Sequence, residues 1–129
     1  MSDGQGEQVR LTMPATPQLL RVARLTAAGL ASRLGFSFDE VEDLKIAVDE
    51  LCFAMVGTRG GEGNLTLDYR LDGDGIIIEG TSDMPASPRG DATGELSDLI
   101  LSAVVDDYEV GSDDASMRFR LRKRRTAPS

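Results

Sequence analysis

The sequence predicts an α+β domain: a mainly antiparallel sheet covered on one face by three helices. Three observations carry that expectation. Apolar and polar residues alternate strictly over Leu65–Leu71 and again over Met117–Arg122, and a period of two belongs to a half-buried strand. Other segments repeat their apolar residues every three or four positions, as a helix with one buried face does. The order of elements is strand, helix, helix, strand, strand, helix, strand, strand. Hairpins interleaved with helices build an antiparallel sheet with its helices gathered on one side.

Each element has its own signal. Val9–Met13 alternates and reads as a short strand that Pro14 breaks. Thr16 is placed to cap a helix with Pro17 in its first turn. From there to Leu34, residues Leu19, Ala23, Thr26, Ala27, Leu30 and Leu34 share one face. Arg21, Arg24, Ala28 and Ser32 fall opposite, which gives a basic, small-residue outer side, and Gly35 ends the helix. Ser37-Phe38-Asp39-Glu40 is a capping box, in which the serine hydroxyl and the glutamate each satisfy a free backbone N–H of the first turn. The helix that it opens runs to about Val56, with Val41, Leu44, Val48, Leu51 and Met55 as its core stripe. Asp39, Glu40, Glu42 and Asp43 crowd its start, where the helix dipole favours negative charge.

A glycine-rich loop is expected at Gly57–Gly63. Leu65–Leu71, the turn Asp72-Gly73-Asp74-Gly75 and Ile76–Ile78 form a hairpin, since Asp-Gly pairs suit its tight turns. Thr81–Asp91, with Pro85 and Pro88, reads as a loop. A third helix is expected over Gly94–Val105 with Leu96, Leu99, Ile100 and Val104 inward. Tyr108–Val110 and Ala115–Lys123 make a second hairpin. Residues 9–123 thus form one domain, with flexible ends at 1–8 and 124–129. A chain of 129 residues buries roughly 65–70% of its unfolded surface, enough for a core without staples.

Composition excludes several chemistries. With no histidine there is no Ser-His-Asp or Cys-His catalysis and no imidazole metal site. A single cysteine excludes an intrachain disulfide and a cysteine-cluster zinc site. Cys52, between Leu51 and Phe53 on a buried helix, reads as a small core hydrophobe. Gly57–Gly63 lacks the Lys-Ser/Thr ending of a phosphate loop. Asp72–Gly75 lacks the ligand glutamate of a calcium loop.

The net charge is −8, yet residues 1–117 hold eight bases against 22 acids, a net of −14, and six bases follow. So acidic a surface repels nucleic acid, and no apolar run reaches the roughly 18 residues of a membrane span. The polar start does not read as a signal peptide. A cytoplasmic protein that contacts neither nucleic acid nor membrane is expected.

The element order, together with Ala47-Val48-Asp49-Glu50-Leu51-Cys52 on the second helix, resembles the anti-sigma factor kinases of the GHKL ATPase superfamily, the RsbW and SpoIIAB type. The resemblance covers about Val9–Lys123 and is most specific in the two-helix block, above all Leu44–Glu50. Within the family it looks most like the actinobacterial sigma antagonists of the UshX and UsfX kind. It implies the GHKL (Bergerat) two-layer fold.

The family's kinase chemistry rests on three boxes. Glu50 matches the general base, but the Mg²⁺-binding asparagine one turn later is Ala54. A methyl cannot ligate a hard cation that takes oxygen. Neither Glu79 nor Asp83 is followed two residues on by the glycine of the adenine box, and Gly94-Glu95-Leu96 replaces the Gly-x-Gly phosphate cradle. The expectation is therefore a protein that is not an enzyme, with no cofactor and no metal.

What the resemblance then implies is an anti-sigma factor. It would sequester an alternative (stress or development) sigma factor and be countered by a STAS-domain anti-anti-sigma factor. Arg24 matches a family arginine that contacts both partners, and Arg21 shares its face. A homodimer, as is common in the family, is carried over as well. Acidity suits basic, DNA-binding sigma domains and would speed encounter. Two alternatives stay open: an active serine-protein kinase with a non-standard ATP site, or a ligand sensor using the emptied nucleotide cleft.

Overall fold

The computed structural model describes residues 7–56, 63–83, 94–112 and 116–126. Strands β1 (Gln8–Pro14), β2 (Asn64–Asp72), β3 (Gly75–Ser82), β4 (Asp107–Ser112) and β5 (Met117–Arg124) form one sheet in the order β1-β2-β3-β5-β4. Every neighbouring pair is antiparallel. Helices α1 (Leu20–Arg33), α2 (Phe38–Val56) and α3 (Glu95–Val104) complete the domain. The expected α+β architecture is the one observed.

The alternation in sequence becomes two sheet faces. Leu65, Leu67, Tyr69 and Leu71 of β2 lie opposite Ser82, Gly80, Ile78 and Ile76 of β3. These in turn oppose Met117, Phe119, Leu121 and Lys123 of β5. All twelve are buried. The other face is charged and cross-linked strand to strand. Arg10 pairs with Asp68 at 2.7 Å, Arg70 with Glu79 at 3.3 Å, and Arg120 with Glu79 and Glu109 at 3.6 and 3.8 Å. Such solvated pairs add little stability each, but they place the β5 arginines in a polar layer, as their alternation implies.

The first helical turn differs from expectation. Thr16 is extended and makes no side-chain cap, Pro17–Leu19 form a 3₁₀ turn, and the α-helix begins only at Leu20. Leu20, Ala23, Ala27, Leu30 and Ala31 are its buried residues. The alanines let α1 lie close to the sheet, where the Tyr69 hydroxyl donates to the Ala23 carbonyl at 2.8 Å. Gly35 (φ +85°) ends the helix as expected, since left-handed backbone suits glycine.

The capping box is formed. Ser37 N–H donates to Glu40 Oε1 at 2.8 Å, and Glu40 N–H donates to Ser37 Oγ at 3.1 Å. Glu40 Oε2 also accepts from Thr126 N–H at 2.7 Å. Burial pushes this carboxyl up, but the hydrogen bonds from Thr126 and Ser37 prevail and hold it at about 2. The end of the chain is tied down through residue 126: Arg124 closes β5, and Arg125 N–H donates to Asp74 O at 2.7 Å. Buried Lys123 gives its ammonium to Val104 O at 2.7 Å.

In α3 the inward face is only partly the expected one, with Val104 packed against the core. Leu101 is its buried residue, whereas Leu96 and Leu99 are 71% and 69% exposed. Ile100 and Val104 are half-buried. The helix is apolar around much of its circumference, so spacing alone could not choose a side. Its polar residues meet neighbouring elements: Ser97 donates to Glu50 on α2, and Asp98 accepts from Tyr108 on β4 at 2.7 Å. The expected loops at Gly57–Gly63 and Thr81–Asp91 fall largely on residues 57–62 and 84–93, outside the described residues. Thr81 and Ser82 instead complete β3.

Candidate functional site

The short turn at Leu34–Ser37 returns the chain on itself, so α1 and α2 pack side by side with the start of α1 beside the end of α2. Residues 25 apart in sequence therefore meet. Arg24 Nη1 lies 2.9 Å from Asp49 Oδ2, with side chains 32% and 43% exposed. Beside this pair a groove of about 380 Å³ opens toward solvent. Pro17 lines it from the 3₁₀ turn, Leu20, Arg21 and Arg24 from the first turns of α1, and Asp49, Glu50 and Phe53 from α2. Phe53 is 46% exposed, so apolar surface borders the charges.

Arg21, Arg24 and Glu50, singled out from sequence, thus converge on one groove. Glu50 Oε1 accepts a hydrogen bond from Ser97 Oγ on α3 at 2.7 Å. Ala54 sits one turn further along α2, half-buried. Asp49, Phe53 and Ser97 were missed by sequence reasoning. An arginine on α1 and an acid on α2 become partners only once the interhelical register is known. The helical pattern of α2 did place residue 49 off the core stripe, which was the one available hint.

Among the described residues that line the groove there is no Ser, Thr, Cys or Lys side chain. Cys52 is fully buried, and burial together with nearby Asp49 pushes its thiol well above the ordinary range, so it stays a thiol. Among the described residues, no cluster of three or more His, Cys, Asp or Glu side chains could hold a metal ion. Glu79 is engaged by Arg70 and Arg120 on the far face of the sheet. Asp83 Oδ1 accepts from Asn64 N–H at 2.8 Å. No described helix is long and apolar enough to cross a membrane.

No protein-family model matches the chain. Curated relatives do match. Serine-protein kinase RsbW of Listeria innocua is 34% identical over 116 residues, covering 87% of this chain and 68% of the relative. Serine-protein kinase RsbW of Halalkalibacterium halodurans is 44% identical over 75 residues, covering 57% of this chain and 46% of the relative. The chain thus spans from about half to two thirds of the length of these relatives. Among solved structures, the RsbU and RsbW domains of a Mycobacterium tuberculosis protein match with a TM-score of 0.71 at 16% identity, over 95% of this chain and 34% of that one. This likeness shows the fold, and it agrees with the expected GHKL type. The relatives' names correct one expectation: they are serine-protein kinases, so the expectation of a chain that is not an enzyme is overturned.

Proposed function

The chain belongs to the RsbW family of serine-protein kinases, the anti-sigma factor type, and from that premise we propose that it binds an alternative sigma factor and a STAS-domain anti-anti-sigma factor in mutually exclusive complexes in the cytoplasm. The observation that supports this reading is the groove itself. Arg21 and Arg24 line it together with exposed Phe53. Arginine with large apolar side chains is the composition of an interface centre rather than of ordinary surface. One such groove cannot hold two proteins at once, so the two partners exclude each other.

Affinity purification of the full chain from its native cells, with mass spectrometry of what is recovered, tests the proposal. A sigma factor in near-stoichiometric amount supports it, and recovery of neither a sigma factor nor a STAS protein overturns it. Arg24→Ala should then weaken both complexes, by the tenfold or more typical of a truncated hot spot. Unchanged affinity for both would remove Arg24 from the interface.

The relatives' names favour a second reading, phosphorylation of a serine on the STAS partner. Glu50 suits it, because its carboxylate already accepts a hydrogen bond from a serine hydroxyl at 2.7 Å, the geometry required of a general base. On this reading the recovered STAS protein gains phosphoserine when ATP and Mg²⁺ are added, and Glu50→Gln abolishes the gain. The nucleotide would have to be held without a ligand at residue 54.

A further inference from the structure

Strand β5 runs out into a basic segment that takes no part in the groove. Thr126 follows Arg122-Lys123-Arg124-Arg125, a run of four bases, and no acid stands after Asp114. Lys123 is committed, buried with its ammonium on Val104 O. Arg124 is exposed, and neither it nor half-buried Arg125 has an ion pair among the described residues. Arg125 Nε is buried without a hydrogen-bond partner there. Thr126 is exposed, yet it is latched. Its N–H donates to Glu40 Oε2 at 2.7 Å, and its hydroxyl reaches the same carboxylate. Glu40 is at the same time half of the capping box that opens α2.

We infer that Thr126 is a phosphorylation site for a serine/threonine kinase that reads the two arginines before it, and that the phosphate releases this segment from α2. Charge patterns beside the acceptor are how such kinases choose their substrates. In the transfer, the Thr126 oxygen bonds to the γ-phosphorus of a nucleoside triphosphate, and the bond from that phosphorus to its bridging oxygen breaks. Nucleoside diphosphate leaves, and the hydroxyl proton passes to the base of the modifying kinase. The product carries about −1.5 to −2 charges at pH 7. It stands beside the Glu40 carboxylate, with Asp39 on the same helical turn, so like charges oppose the latch. Arg124 and Arg125 offer the phosphate charge-assisted hydrogen bonds instead, and Arg125 Nε gains the acceptor that it lacks. The phosphate thus exchanges a carboxylate for arginine. The same carboxylate restrains the modification, because the hydroxyl must leave Glu40 before a kinase can take it. The inference is independent of the groove between α1 and α2.

The test treats the full chain with an arginine-directed serine/threonine kinase and Mg-ATP. Mass spectrometry maps the phosphate there and in chain purified from its native cells. The expected result is phosphothreonine at residue 126 in both. Thr126→Ala should lose it, and Thr126→Ser should restore it as phosphoserine. The double variant Arg124→Gln, Arg125→Gln should slow the transfer about tenfold or more, the weight of charged hydrogen bonds. Glu40→Gln should speed it. Urea unfolding then reads the latch: phosphorylation should lower the midpoint of the wild-type chain and leave that of Glu40→Gln nearly unchanged. Phosphate only at other residues, none at Thr126 in chain from native cells, or transfer indifferent to both arginines would overturn the site. An unmoved wild-type midpoint, or an equal fall in Glu40→Gln, would overturn the release from α2. Each of these results leaves the proposed function standing.

Discussion

Replacing Tyr69 by phenylalanine tests what holds the site-bearing helix to the sheet. Tyr69 is fully buried on β2, and its hydroxyl donates to Ala23 O on α1 at 2.8 Å. That bond joins residues 46 apart in sequence and lies one residue from Arg24. Removing the hydroxyl loses one buried hydrogen bond, a net of about 1 kcal/mol. The Ala23 carbonyl keeps its helical partner, so it is not left fully orphaned. The small void left by the oxygen adds a few tenths, on the order of 24 cal/mol per Å³. The expected loss is therefore about 1–2 kcal/mol, measured by urea unfolding with an unchanged m-value. It corresponds to a fall of about 3–8 °C in Tm for a domain of this size.

The same variant has a pH signature. Burial raises the Tyr69 hydroxyl above its ordinary value near 10. The unfolded chain therefore releases this proton first, and stability is undiminished below pH 10 and falls above it. Tyr69→Phe should flatten that alkaline fall, leaving the part due to buried Cys52, which begins near pH 9. A variant within 0.3 kcal/mol of wild type (roughly the error of such unfolding measurements), with the same alkaline slope, would refute the idea that this bond pins α1.

Three further outcomes follow from the same geometry. A Cβ on Gly80 would lie 2.4 Å from Phe119 Cε2, with Cζ and Cδ2 also within 3.0 Å. Gly80→Ala should thus cost about 1–3 kcal/mol of unfolding free energy, and Phe119→Leu should relieve part of it in the double variant. Glu40, held at about 2, contributes stability that is complete above its ordinary pKa near 4.5 and is lost as pH falls toward 2. Glu40→Gln should flatten the acid limb of an unfolding-versus-pH series. On α3, Leu101→Ala should cost about 2–4 kcal/mol in urea unfolding, and exposed Leu99→Ser should stay within about 0.5 kcal/mol.

Local signals carried most of the secondary structure. The capping box at Ser37–Glu40 was legible because both of its bonds run between residues three apart. The β2–β3 hairpin was legible for the same reason, its turn chemistry lying in four consecutive residues. Thr16 shows the limit: a favourable residue type stood at the right place, yet the chain left β1 extended and closed a 3₁₀ turn first. Leu96 and Leu99 show it again: α3 is apolar on several sides, and only its packing against the rest of the domain buries Leu101 and leaves these two exposed.

The site divides along the same line. Glu50 and Ala54 could be placed on α2, and Arg21 and Arg24 on the outer side of α1, because a single helix fixes which of its own residues share a face. The Arg24–Asp49 pair, the Ser97–Glu50 hydrogen bond and the groove between them involve side chains from different elements. Whether those meet depends on how the helices are set against one another, and that register is fixed by the packing of Leu20, Ala23, Ala27, Leu44, Val48 and Leu51 into one core. The sequence by itself determined the elements, their polarity and the family likeness. The tertiary structure alone decided which charges became partners, because attraction between charges is felt only across the few ångströms that packing brings them to.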